Sequence, residues 1–317
     1  MASKPFGGLL GPSAGTAGQG LLFGAAPHGL LADLLINLNG KNEESLRTMS
    51  QHSGSFKEQR LVECVFLMCE ELRLDHFTGY QALEILERYM IKHLEYLLDP
   101  NTEPGAAGGQ PGDLQGSVLV KLRDRFMLTV FSCIQLASKL ALHCHIIDNN
   151  VGVSFLQSMG YNYTKETLLE SELHILKTLD FCISIPNPLT YVEMLLEVLG
   201  YNDSSVPVPQ MHTVCQQVLQ FIYLQRNAIY HHLLQAVTAC PSPTVEQRVK
   251  FVTVKEDSML LAIGVIAVGA FILRFTSWEQ VVDELSCITG ASGENIADFT
   301  YVVLNKIVGD ETPMRPL

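Results

Sequence analysis

From residue 57 to residue 308 the apolar positions recur at three- and four-residue intervals, the spacing of one face of an α-helix, and runs of alternating apolar and polar residues are scarce. The period predicts helices over 57–73, 77–98, 118–143, 151–158, 164–180, 188–199, 210–223, 226–239, 256–275, 277–288 and 293–308. The fold class is therefore all-α. Residues 1–29, rich in Gly, Ala and Pro, hold no sustained period and read as a disordered, mobile tail. A short amphipathic piece at 30–38 reads as a helix that docks on the body, within a lead-in spanning 30–56. The Gly/Pro-rich stretch 100–116 reads as a flexible insertion between two helices. Breaks at 202–209 and 241–245 punctuate the second half, and the first of them marks a domain boundary. The divisions are then 57–200 and 201–309, with a tail at 310–317.

Three stretches depart from ordinary amphipathic patterning. Residues 259–273 (MLLAIGVIAVGAFIL) are apolar throughout but only fifteen long, bounded by Asp257 and Arg274. A bilayer needs about 20 such residues, so the run is the central helix of a bundle rather than a membrane span. Residues 125–142 are also apolar nearly all round, and after Arg125 their one charge is Lys139. In 164–179 the apolar residues Leu168, Leu169, Ile175, Leu176 and Leu179 share one face, with Glu166, Glu170, His174 and Lys177 opposite. At 100° per residue, Glu172 falls at the centre of the apolar stripe. An unpaired carboxylate there loses hydration at a cost of several kcal/mol. Glu172 therefore has a buried cationic partner, or it faces something brought by another molecule. Lys139, equally out of place on a core helix, is the economical partner.

Composition narrows the function. The chain has 317 residues, 47% hydrophobic and 17% charged, with a net charge of −12. That balance argues against nucleic-acid binding, which rests on neutralising phosphates with Lys and Arg. Eight cysteines stand without a CxxC pair, mostly inside apolar runs where a free thiol behaves as a small hydrophobe. The start Met1-Ala2-Ser3-Lys4-Pro5 lacks the features of a secretory signal, so a reducing compartment is expected. The sequons at Asn162 and Asn202 are then uninformative. His143-Cys144-His145 has no second ligand pair at metal-site spacing, and no phosphate loop, nucleotide fingerprint, nucleophile–base order or HExxH occurs. No catalytic, cofactor or metal site is expected. Thr312-Pro313 and Ser242-Pro243 have the form of proline-directed phosphorylation sites.

Gln135-Leu136-Ala137-Ser138-Lys139 resembles the "LASK" segment in the third helix of a cyclin box. Tyr163-Thr164-Lys165, with Glu172, Lys177, Leu179, Phe181 and Pro186, is similar without gaps to the fifth box helix and the turn after it. Glu70-Glu71-Leu72-Arg73-Leu74 resembles the end of the first. The likeness covers roughly 58–200. A weaker one covers 257–308, where Ser277-Trp278-Glu279 opens a helix like those closing a second cyclin box. The resemblance implies two tandem five-helix cyclin-box bundles, the second more divergent.

In cyclins, the residues matching Lys139 and Glu172 hydrogen-bond to main-chain groups of a cyclin-dependent kinase beside its activating helix, and Leu140, Leu176, Phe181 and Ile183 match nearby apolar contacts. The resemblance thus implies charge-assisted bonds to peptide groups within an apolar surround, which help place the kinase glutamate that pairs with its ATP-binding lysine. The pattern departs from the family at the substrate-docking signature, an Arg six residues before a Trp. Arg60 and Phe66 have the spacing, but in a register at odds with the one Glu70–Leu74 sets. Within the family the likeness is to members associated with meiotic crossover formation. It implies a non-catalytic regulatory or scaffold protein of the nucleus, with the cytoplasm as a second compartment. Its partners would be a cyclin-dependent kinase and other meiotic recombination proteins, with no direct contact to nucleic acid or membrane. The rival readings keep the fold: a kinase-independent scaffold bridging recombination factors, or a nucleic-acid adaptor of the transcription-factor type.

Overall fold

The computed structural model describes residues 23–50, 52–98, 111–141, 147–273 and 278–309, and its regular elements among these residues are all helices. In chain order they are α1 (His28–Arg47), α2 (Gln59–Glu71), α3 (His76–Leu98), α4 (Pro111–Leu140), α5 (Asn149–Ser158), α6 (Lys165–Thr178) and α7 (Pro188–Asn202). There follow α8 (Val208–Leu224), α9 (Arg226–Thr238), α10 (Val245–Lys250), α11 (Val252–Glu256), α12 (Ser258–Ile272), α13 (Trp278–Thr289) and α14 (Gly293–Val308). Side-chain caps start many of them. Asp148, Thr164, Asn187, Asp257 and Ser292 each accept a bond from a backbone N–H in the first turn of the helix they precede. Thr244 and Gln247 close a full capping box on α10.

Two groups of helices form, each around an axis. In the first, α2, α3, α5 and α6 pack on α4, and every residue of α4 from 128 to 138 is buried. In the second, α7, α8, α13 and α14 pack on α12. The all-round apolar character of both axes is the pattern that a central helix requires. Gly264 marks where α14 crosses α12: a Cβ there would overlap the ring of Phe299. Close approach thus repays the roughly 0.5–1 kcal/mol that glycine costs inside a helix. Among the described residues no helix is long and apolar enough to cross a membrane.

The structure moves several boundaries. The helix expected at 30–38 extends from His28 to Arg47, and the tail expected to run to residue 29 is already tied down at Gly24. The N–H groups of Gly24, Ala25 and Ala26 all donate to the Glu197 carboxylate of α7. Helix α4 begins at Pro111, so 111–116 are helical rather than part of the insertion. Proline at a first helical position removes no bond the helix could have made, and it opens this helix rather than breaking it. Helices α10 and α11 bury no apolar residue and so leave no apolar period to read. Helix α7 packs chiefly on α8 and α12, which shifts the break between the groups from 201 to the segment just before Pro188. The short, proline-containing turn at 203–207 joins two helices that pack on each other, as short connections usually do. Residues 1–22, 99–110, 142–146 and 310–317 lie outside the described residues, and with them most of the tail, much of the insertion, His143-Cys144-His145 and Thr312.

A buried polar cluster ties the groups together. Lys57, just before α2, is 2.9 Å from Glu84 of α3 and 3.0 Å from Glu256 of α11. Arg226 of α9 pairs with Glu256 at 2.7 Å, donates to the Lys255 carbonyl and stacks over Tyr230. Glu87 of α3 accepts from the N–H groups of Gly54 and Phe56 at 2.5 and 2.8 Å. Three carboxylates thus share two cations. Burial pushes the Glu87 carboxyl up to about 7 in spite of Lys57. Glu256 is also buried, yet Lys57 and Arg226 more than offset that and hold it down to about 2.

Candidate functional site

Helices α4 and α6 lie side by side, joined across their contact by a 2.8 Å hydrogen bond between Ser132 and Ser171. Lys139 stands in the last turn of α4, where a cation also suits the negative end of the helix dipole. Its Nζ meets Glu172 Oε1 at 2.5 Å. The two partners are covered unequally. The Glu172 side chain is 7% exposed and that of Lys139 is 40% exposed. The apolar stripe of α6 does contain the carboxylate, since Leu168, Glu172 and Ile175 are its buried residues. The pair therefore sits at the edge of the core, with the lysine open to solvent.

The surroundings are apolar and exposed. Leu169 is 49% exposed, Leu173 45% and Phe181 63%, with Leu176 half-buried beside them. Leu169 was expected in the core stripe, and Leu173 was not singled out. Positions 168, 172, 175 and 179 form one stripe, and positions 169, 173 and 176 form a second about 100° around the helix. The first faces the core and the second faces solvent, so the stripe read as one is two. The doubled period was a signal available in the sequence. Large aliphatic side chains are thus grouped on an exposed helix face, on the same helix as a carboxylate whose lysine is only half covered. Leu140 lies one residue beyond Lys139 and lines a groove with Leu34, Phe77, Ile185 and Met194, while Ile183 is half-buried in the segment after α6.

That segment is built under strain. Leu179 ends α6, and the N–H groups of Asp180 and Phe181 bond to the carbonyls of Lys177 and Leu176, the two bonds of a Schellman turn. Such a turn usually carries glycine at its left-handed position. Here Asp180 has φ 52° and Phe181 φ 59°, two consecutive non-glycine residues in that region. Each costs about 1–3 kcal/mol, and strain of this kind persists where the rest of the structure enforces it. The Phe181 side chain that results stands exposed in the turn that follows α6.

Arg60 and Phe66 do not make a docking patch together. Phe66 is buried, edge-on to Tyr80 at 5.2 Å, while Arg60 is exposed. The spacing that suggested the signature joins two faces of α2.

A helical group around an apolar axis, whose axial helix ends in a lysine bonded to a glutamate of the last helix, defines a cyclin-box fold. No protein-family model matches the chain. It is 45% identical over 293 residues to the mouse (Mus musculus) protein named Cyclin N-terminal domain-containing protein 1, which covers 92% of this chain and 87% of that relative. To the human (Homo sapiens) protein of the same name it is 43% identical over 293 residues, 92% of this chain and 89% of the relative. At that identity over nearly its whole length, the chain belongs to this cyclin family.

Proposed function

We propose that the protein is a non-catalytic regulatory subunit that docks a cyclin-dependent kinase on the exposed face of α6, and that in this role it promotes meiotic crossover maturation in the nucleus. The observation that carries the reading is the Lys139–Glu172 pair: a carboxylate inside the core edge, covered by one half-exposed lysine, on a helix that also exposes Leu169 and Leu173 and is followed by exposed Phe181. When unbound, the two charges satisfy each other. Against a partner's backbone, Lys139 donates to a carbonyl and Glu172 accepts from an N–H, while the leucines and Phe181 exclude water. Charge-assisted bonds of this type contribute about 1.5–3 kcal/mol each when shielded. The crossover role, and recombination proteins as further partners, follow the chain's resemblance within its family. With net charge −12, duplex DNA affinity near physiological salt is expected to be negligible for the isolated protein.

The test is affinity purification from meiotic cells with wild type and Glu172→Ala, with thermal melting of the same two proteins. Loss of kinase by at least about tenfold, which is 1.4 kcal/mol, with the fold retained is the expected result. Kinase retained by a destabilised Glu172→Ala protein would reduce the pair to an internal structural contact. Wild type that captures recombination proteins but no kinase would establish the kinase-independent scaffold instead.

A further inference from the structure

The segment after α6 is held from behind by one face of α3. Gln81, Arg88 and Lys92 stand at i, i+7 and i+11, which brings them onto a single stripe of that helix. Gln81 Nε2 donates to the Ile183 carbonyl at 3.0 Å, Arg88 donates to the Cys182 carbonyl at 2.7 Å, and Lys92 pairs with the Asp180 carboxylate at 2.9 Å. The rungs run antiparallel to the segment, the earliest residue of α3 taking the latest carbonyl. Gln81 is buried and is itself braced, accepting a bond from Asn187 Nδ2 at 3.3 Å. Asn187 also caps α7, so the ladder is anchored to the start of the second helical group. Residues 180–183 belong to no helix, and α3 takes up carbonyls that a helix would otherwise have satisfied.

We propose that Arg88 and Gln81 are positioning residues for partner docking: they hold 180–183 in the left-handed turn that projects Phe181 as an apolar anchor into a hydrophobic cleft of the partner. This rests on the docking role of the α6 surface. Without the ladder, the turn at Asp180 and Phe181 relaxes toward ordinary backbone conformations, and the ring leaves its exposed position after α6. The Lys92 rung is solvent-exposed on both sides and contributes least. Arg88 contributes most, as its acceptor is the Cys182 carbonyl, to which no other described group donates; the Ile183 carbonyl held by the buried Gln81 also accepts from the Ile185 N–H at 3.2 Å. Affinity then scales with the fraction of molecules that present the ring. A ladder mutant that presents it one time in ten binds about tenfold more weakly, with the contact surface itself intact.

The experiment uses the full chain with Arg88→Met, which keeps most of the aliphatic stem. Hydrogen exchange is measured at the amides of Phe181, Cys182 and Ile183, and affinity is measured for a purified cyclin-dependent kinase that wild type retains from a panel. Exchange should rise at those three amides and not within α6, and affinity should fall about tenfold. In Arg88→Met/Asp180→Gly, the glycine adopts the left-handed turn without the ladder and should recover most of the affinity. A residue that matters only for stability would not be rescued in this way. Unchanged exchange, or raised exchange with unchanged affinity, overturns the proposal. Phe181→Ala and Glu172→Ala separate it from the docking role on which it rests. If both leave affinity unchanged, the α6 surface is not the docking site. If both weaken binding while Arg88→Met does not, the positioning role alone fails. Gln81→Met carries the same readouts if Arg88→Met does not fold.

Discussion

Two sites in this protein place carboxylates against cations in a largely apolar setting, and they differ in what closes them. Around Lys57 and Arg226 every charge is covered. Five side chains from the approach to α2 and from α3, α9 and α11 meet there, three carboxylates to two cations, with backbone N–H groups of Gly54 and Phe56 serving Glu87. At Glu172 the acid is covered but its lysine is not, and the neighbouring leucines are exposed. A closed cluster has nothing left to offer a second molecule, and removing one member strands a buried charge. The open pair loses little when its buried acid goes, because water receives the exposed lysine. A carboxylate among apolar residues is therefore ambiguous until the exposure of its counter-charge is known.

The largest effect should come from opening the closed site. Arg226→Met leaves Glu256 with one cation instead of two, and unfolding free energy should drop by about 3–5 kcal/mol. Thermal melting would fall by on the order of 10 °C, with kinase affinity per folded molecule unchanged. A loss under about 1 kcal/mol in a urea titration would show that the cluster is not the structural tie described above.

The second concerns the surplus carboxylate of that cluster. Because the folded-state value of Glu87 is raised to about 7 from 4.5, the native state holds the extra proton between those pH values. Stability from this group is present below pH 4.5 and is lost as pH rises through 7, by about 3 kcal/mol at most. Subtracting the stability–pH curve of Glu87→Gln from that of wild type isolates the slope from the titration of His93 and His174. Both histidines are lowered by burial, and they act with the opposite sign. A difference curve flat between pH 5 and 8 would contradict it.

At the open site the contrast reverses. Glu172→Ala should change unfolding free energy by less than about 1 kcal/mol, while kinase affinity falls by at least about tenfold. The smallest effect is a control on strain. Arg73, at φ 57°, ends α2 in the same kind of turn as Asp180, but it has no ladder and does not lie beside the α6 stripe. Arg73→Gly should stabilise the fold by up to about 1 kcal/mol in denaturant melts and leave affinity alone. A loss of affinity there would mean that relaxing either turn disturbs docking.

Much of this was legible in the chain. The period of 3.6 residues located the long helices because each buries one face, and the two all-round apolar runs announced the axes. Glu172 and Lys139 were legible as a pair because each violates its own helix. The closed cluster was not, since Glu84 and Glu87 sit on a long helix with ordinary polar positions and Glu256 ends a short one. None of them breaks a local pattern. Leu169 was misplaced because adjacent apolar stripes merge on a helical projection, which carries no information about which side a neighbour covers. The ladder under Phe181 was equally hidden. Polar residues at i, i+7 and i+11 on an amphipathic helix look like solvated surface until a turn is laid across them.

The sequence alone determined the all-α class, the central helices and the oddity of two charges in the core pattern. These follow from local rules, each satisfied within one helix by its own spacing. Tertiary structure decided which charges are sealed and which stay open, to which group α7 belongs, and that Phe181 stands outward under strain. Those outcomes depend on contacts between residues up to 199 positions apart, as Lys57 is from Glu256. Burial at such distances is set by how helices pack, and no single helix encodes it.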